Sequence, residues 1–183
     1  MKLVKENFVL RSVELKDFLA IAETLEDYPI NGGVGLSQTM DIVTAMRRRT
    51  RDGLGYGLVF EKDEEIIGFA CIAKRPNTNN QMHLTLYAIH PSFRGLNLNN
   101  NMLELVGYYA FRVLELSSLT YTSRLDSLTG ASILEAMPFR HESVRPSVQE
   151  PDMLIRQRLS SAEDWLILES VFGLEPSLVT LTV

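Results

Sequence analysis

Ile89-His90-Pro91-Ser92-Phe93-Arg94-Gly95-Leu96-Asn97-Leu98-Asn99 joins an apolar, β-prone run to an apolar, helix-prone one. Where a strand turns sharply into a helix, the first helical N–H groups have no intrahelical acceptor and carry the positive end of the dipole. Such a junction can hold an anion. Glycine is the usual residue there, because the main chain must come close to the ligand. Gly95 supplies it once, whereas Asn97 and Asn99 stand at the two later positions where glycine is expected. Asparagine tolerates left-handed backbone better than other residues with a side chain, so the turn is expected to survive. Its carboxamide either intrudes on the anion or donates an N–H to it.

Before the junction the pattern reads as a strand over residues 8–11, then a helix carrying Leu15, Phe18, Leu19, Ala22 and Leu25 at helical spacing. Asn31-Gly32-Gly33-Val34-Gly35 is a loop bordering a binding site, and Ser37 is the expected N-cap of a second helix that ends near Gly53. Residues 56–60 and 65–74 form a hairpin about Lys62-Asp63-Glu64, and residues 82–89 are a third consecutive strand. The longest helix is predicted over 98–116, with a strand over 119–123, a short helix over 128–136 and a closing strand pair at 139–144 and 153–159. Three adjacent strands break strict βα alternation, so the fold class is α+β with a mixed central sheet flanked by helices. Residues 1–159 make this domain. Residues 160–183 are a helix-strand extension, with Ser160 and Glu163 as a capping box before Trp165 and a β-prone end at 178–183, packed on the same domain or on a partner.

A chain of 183 residues, 45% hydrophobic and 22% charged, fits one globular domain. A net charge of -5 argues against nucleic-acid binding. The cluster Arg47, Arg48, Arg49 and Arg51 reads as a helix end whose cations complement the dipole, with a docking site for an acidic partner as the alternative. Cys71 is the only cysteine and sits in an apolar run, so no disulfide framework or thiolate metal cluster is expected. His90 and His141 have no partners at metal-ligand spacing. No leader-like or membrane-spanning run is read, and the expected compartment is cytoplasmic.

The element order and the junction together resemble the GNAT family of N-acetyltransferases over about residues 8–159. The family signature is an apolar residue, any residue, proline, two residues, Arg or Gln, then Gly-any-Gly-any-Gly or Ala; here Ile89, Pro91, Arg94 and Gly95 match, and Asn97 and Asn99 depart. The resemblance implies acetyl-CoA as co-substrate. Tyr87, Ala88 and Ile89 would line the pantetheine arm, and Arg94, Gly95, Leu96, Asn97, Leu98 and Asn99 would hold the pyrophosphate. A second family stretch fits residues 127–139, where Phe139 matches, Ser127 replaces an Asn that would help bind the cofactor, Gly130 an Ala and Pro138 a Gly. Leu134 replaces the Tyr that usually protonates the leaving thiolate.

On the acceptor side, His83 lies near the position where histone acetyltransferases of the family carry a general-base glutamate, and Tyr121 is the replacement acid. Both residue types also serve structural roles on strands. Two readings follow: an N-acyltransferase in which an amine of a small molecule or peptide attacks acetyl-CoA directly, or an inactive scaffold that binds a protein. In the second, the apolar tail from Trp165 onward is the surface for a partner or a second copy.

Overall fold

The computed structural model describes residues 1–26, 34–74, 80–124, 141–146, 154–163, 165 and 180–182. The described residues group into two compact units, one within 1–73, 85–98 and 177–183 and the other within 74–84 and 99–176.

The first unit is built on antiparallel pairing. Strand β1 (Lys2–Lys5) turns at Glu6 and Asn7 into β2 (Phe8–Ser12), which pairs with β3 (Gly55–Lys62), which pairs with β4 (Glu65–Lys74). Strand β1 is absent from the sequence-based element order, and its other edge is taken by β9 (Thr180–Thr182), in the register Lys2↔Thr182 to Val4↔Thr180. The β-prone end of the chain thus completes this chain's own sheet. The β3–β4 turn falls on Asp63 and Glu64, both left-handed, with the Asp63 carboxylate accepting from the Asn7 side chain.

Two helices cover one face of that sheet. A 3₁₀ turn at Leu15–Asp17 leads into α1 (Phe18–Leu25), and α2 spans Leu36–Arg51. The expected inward face of α1 is corrected: Leu15 and Leu19 are 50% and 65% exposed, while Ile21, Ala22, Thr24 and Leu25 are buried. The core beneath these helices unites Val13, Ile21, Leu25, Val43, Val59, Phe69, Cys71, Leu86 and Ala88. The N-cap of α2 is Gly35, not Ser37, and the Gln38 side chain accepts the Gly35 N–H. Arg48, Arg49 and Arg51 occupy the last turn of α2, as the dipole argument requires.

The second unit holds the start of β5 (Gln81–Ile89) beside β6 (Ser118–Arg124) in parallel, with Gln81↔Ser118 through Leu84↔Tyr121. Strand β6 pairs antiparallel with β8 (Leu154–Ser161), and β8 with β7 (His141–Pro146). Between β5 and β6 the chain forms α3 (Asn99–Tyr108), which widens into a π-helical turn at Tyr109–Val113. The single helix expected over 98–116 is therefore shorter and irregular at its end, and the 16-residue α2 is longer. Ser160 pairs with Leu119 inside β8, so the strand runs past the expected helix start, and helical residues begin at Ala162. The elements expected at 128–136 lie outside the described residues.

Trp165 anchors this part of the chain on α3. It is 3% exposed and its ring stacks on Phe111, with centroids 5.9 Å apart. Gly107 of α3 meets the same ring so closely that an added Cβ would overlap three of its carbons.

Candidate functional site

A fault in the β3–β4 ladder sets the start of the candidate loop. Phe60 pairs with Gly68 and Glu61 with Ile66, which leaves Ile67 as the extra residue of a β-bulge. The Ile67 side chain is fully buried, and its carbonyl accepts the N–H of His90 at 2.9 Å. His90 then caps a short 3₁₀ turn at Pro91–Phe93, its Nδ1 accepting the Ser92 N–H at 3.3 Å. An acceptor at Nδ1 places the neutral ring's proton on Nε2, which lies 3.3 Å from Glu23 Oε2 of α1. Sequence spacing considered His90 only as a metal ligand and missed this clasp between the loop and α1.

Arg94 folds back along the strand end, its Nε donating to the Ile89 carbonyl at 3.1 Å. The chain then turns twice through left-handed backbone, at Gly95 (φ 78°) and at Asn97 (φ 55°). Asparagine thus takes the conformation glycine supplies in the family signature, as its tolerance for that region allows. Among the described residues, the backbone N–H groups of Gly95, Leu96 and Asn97 have no acceptor. Among the described residues, no atom beyond Gly95 and its two chain neighbours lies within 4 Å of a Cβ built at Gly95. Open space beside unpartnered N–H groups fits an anion held by main chain.

The expected arm residues have their side chains occupied. Tyr87 is 1% exposed and meets Phe60 edge to face, Ala88 belongs to the core under α1 and α2, and Ile89 is half-buried. Leu96 is exposed, Leu98 is buried, and Asn99 is the first residue of α3.

The sequence of residues 20–126 matches the acetyltransferase (GNAT) family. The chain belongs to the GNAT acetyltransferase family. No curated protein sequence matches it. Its fold is that of solved GNAT structures. A GNAT-family acetyltransferase from Bacillus anthracis superposes with a TM-score of 0.73 at 14% identity, over 89% of this chain and 99% of that one. A chimeric spermidine N-acetyltransferase from Vibrio cholerae gives 0.74 at 13% identity, covering 88% and 99%. The Vibrio cholerae spermidine N-acetyltransferase in complex with CoA and spermine gives 0.71 at 12%, covering 87% and 98%. The mixed sheet with flanking helices expected from the element order is thus the fold this GNAT chain has.

His83 and Tyr121, the candidate base and acid, are not brought together. Parallel register pairs His83 with Thr120 and Leu84 with Tyr121, and side chains alternate along a strand, so His83 and Tyr121 project from opposite faces of the ladder. Tyr121 is 7% exposed. His83 is half-buried, with Nδ1 2.8 Å from the Thr120 hydroxyl. Ser127, Leu134 and the rest of the second family stretch lie outside the described residues. Cys71, buried in the core, has its thiol pushed up by desolvation, which keeps it protonated and unreactive. Among the described residues no helix is long and apolar enough to cross a membrane.

Proposed function

We propose that this GNAT-family protein transfers an acyl group from acetyl-CoA to an amine of a small molecule or peptide. The observation that carries the reading is the double left-handed turn at Gly95 and Asn97 with its run of N–H groups lacking acceptors. Arg94 and residues 95–99 hold the pyrophosphate, the main chain of Tyr87, Ala88 and Ile89 pairs with the pantetheine arm, and Ser127 adds a further contact to the cofactor. His83 takes a proton from the amine. The nitrogen lone pair forms the bond to the thioester carbonyl carbon, the C–S bond breaks, and the CoA thiolate leaves to be protonated from solvent. An amine acceptor is supported by the spermidine N-acetyltransferases among the structural neighbours. The lone buried Cys71 supports a reducing, cytoplasmic setting. Residues 160–183 are read as an extension of the same domain, which the packing of Trp165 on α3 and of β9 on β1 supports.

Calorimetric titration with acetyl-CoA tests the reading, followed by release of free CoA in the presence of spermidine and a panel of other amines. Binding is expected. Absence of heat and of a thermal shift at millimolar acetyl-CoA would overturn the enzyme and leave the scaffold reading. Gly95→Val puts a β-branched residue at φ 78°, at a cost of about 1–2 kcal/mol, and fills the open space. Affinity should fall by about tenfold or more, equivalent to about 1.4 kcal/mol. Asn97→Gly keeps the turn and removes the carboxamide, so its affinity should equal or exceed that of the native protein; weaker binding would mean that the carboxamide itself donates to the phosphate. His83→Ala should lower kcat by about a hundredfold with acetyl-CoA affinity unchanged.

A further inference from the structure

The geometry points to Thr120 as the residue that fixes which nitrogen of His83 carries the ring proton, a positioning role that rests on the base assigned to His83 above. Thr120 is 1% exposed, so its hydroxyl proton must be given to a protein acceptor. Two are in reach: the Met82 carbonyl at 3.3 Å and His83 Nδ1 at 2.8 Å. With the ring proton on Nδ1, that N–H donates to Thr120 Oγ1 and the hydroxyl donates onward to the Met82 carbonyl. Both contacts are then hydrogen bonds, running in one direction. With the proton on Nε2, the hydroxyl must turn toward Nδ1, and the Thr120 and Met82 oxygens would face each other at 3.3 Å with no hydrogen between them.

Among the Met82 carbonyl, the Thr120 hydroxyl and His83 Nδ1, the first arrangement makes two bonds and the second one, in a setting where an unmade bond is costly and consecutive bonds strengthen each other. The carbonyl is what breaks the symmetry. It can only accept, so it holds the hydroxyl proton away from the ring and obliges the imidazole to be the donor. Strand pairing fixes the group, because His83↔Thr120 is a register pair of the parallel ladder and Met82 is the preceding residue of β5. Nε2 is thereby the basic nitrogen, the form that a proton-accepting histidine needs. Thr120 touches neither reactant in this account; it acts through His83.

The test uses full-length protein labelled with ¹⁵N-histidine, whose three histidines give few signals. Long-range proton–nitrogen correlation distinguishes a protonated from an unprotonated ring nitrogen, and a His83→Asn spectrum assigns the residue. Native His83 is expected to be protonated at Nδ1, and Thr120→Ser to preserve that pattern. Thr120→Val is expected to lose the Nδ1 preference. A native ring protonated at Nε2, or an unchanged pattern in Thr120→Val, would overturn the assignment; should the valine variant not fold, the native and serine spectra still decide it. In turnover, Thr120→Val should lower kcat about tenfold with KM for acetyl-CoA within about twofold, and Thr120→Ser should recover it. A shifted tautomer with unchanged kcat would overturn the positioning role. Failure of the native protein to turn over any amine would instead count against the proposed function, with the ring-proton assignment still decided by the spectra.

Discussion

Replacing Trp165 with alanine is expected to destabilise the unit built on α3 by about 3–5 kcal/mol, the range for truncating a large buried aromatic. The ring is 3% exposed, stacks on Phe111 and lies directly over Gly107, so its removal leaves a void lined by a helix that cannot collapse into it without losing its own packing. The complementary change tests the same contact from the helix side. Gly107→Ala alone would favour the helix by about 0.8–1 kcal/mol through propensity. The added Cβ, however, overlaps three atoms of a rigid bicyclic ring, and overpacking of that kind costs about 1–3 kcal/mol. The overlap outweighs the propensity gain, and the net change should be destabilising. Because Trp165 is the only tryptophan in the chain, its fluorescence reports the contact without labelling. Denaturant unfolding followed by that emission should show a lower midpoint for Gly107→Ala and a red-shifted native spectrum as the ring is displaced. A native-like midpoint and spectrum would mean that the ring has room the geometry denies. The same packing bears on the scaffold reading, since this residue of the tail is spent on the chain's own helix.

Much of the architecture was legible because the strands announce themselves. β3, β4 and β5 carry long apolar runs broken by Asp63-Glu64 and by a polar turn, and the loop after Ile89 combines Pro91, Arg94 and Gly95 at family spacing. What escaped were features set by partners distant in sequence. Strand β1 is four residues long, with only Leu3 fully buried, and one of its two neighbours is β9 at the other end of the chain. The inward face of α1 could not be read because Leu15 and Leu19 fit a helical stripe as well as Ile21 and Leu25 do; the sheet beneath decided between them. The bulge at Ile67 and the π-helical turn at Tyr109–Val113 leave no mark in hydrophobic periodicity. At the site, the left-handed Asn97 followed from what asparagine tolerates. The separation of His83 from Tyr121 did not, because it depends on a register between residues 37 apart, and a shift of one would have reversed it.

Arg11→Met is expected to cost about 3–5 kcal/mol, because it leaves a buried carboxylate without its cation. Arg11 of β2 binds Asp17 through two parallel bonds of 2.7 Å and Glu61 of β3 through Nε at 2.7 Å, and Asp17 is only 2% exposed. Asp17 also accepts the Glu14 N–H at 2.7 Å, so one carboxylate joins strand β2 to the turn that starts α1. Burial pushes the Asp17 carboxyl up, but the bonds from Arg11 and the Glu14 N–H outweigh it and hold the group below its ordinary value. The Arg11 guanidinium is raised, chiefly by its bond to Asp17. The sign for pH follows: a carboxylate with a depressed folded value contributes stability above its unfolded value, near 3.8, and loses that contribution as pH falls through the folded one. Stability of the native protein should therefore drop below about pH 4, and in Asp17→Asn that part of the acid dependence should vanish. Arg11→Met combined with Asp17→Leu should cost clearly less than the two single changes added, since the double change removes both members of the buried pair and leaves only the more exposed Glu61 without its cation, although about 1 kcal/mol for the lost cap remains. Urea unfolding of the four proteins at pH 7 and of the native and Asp17→Asn forms between pH 3 and 6 measures both quantities. Additive costs, or an unchanged acid limb in Asp17→Asn, would show that the network does not couple β2 to α1.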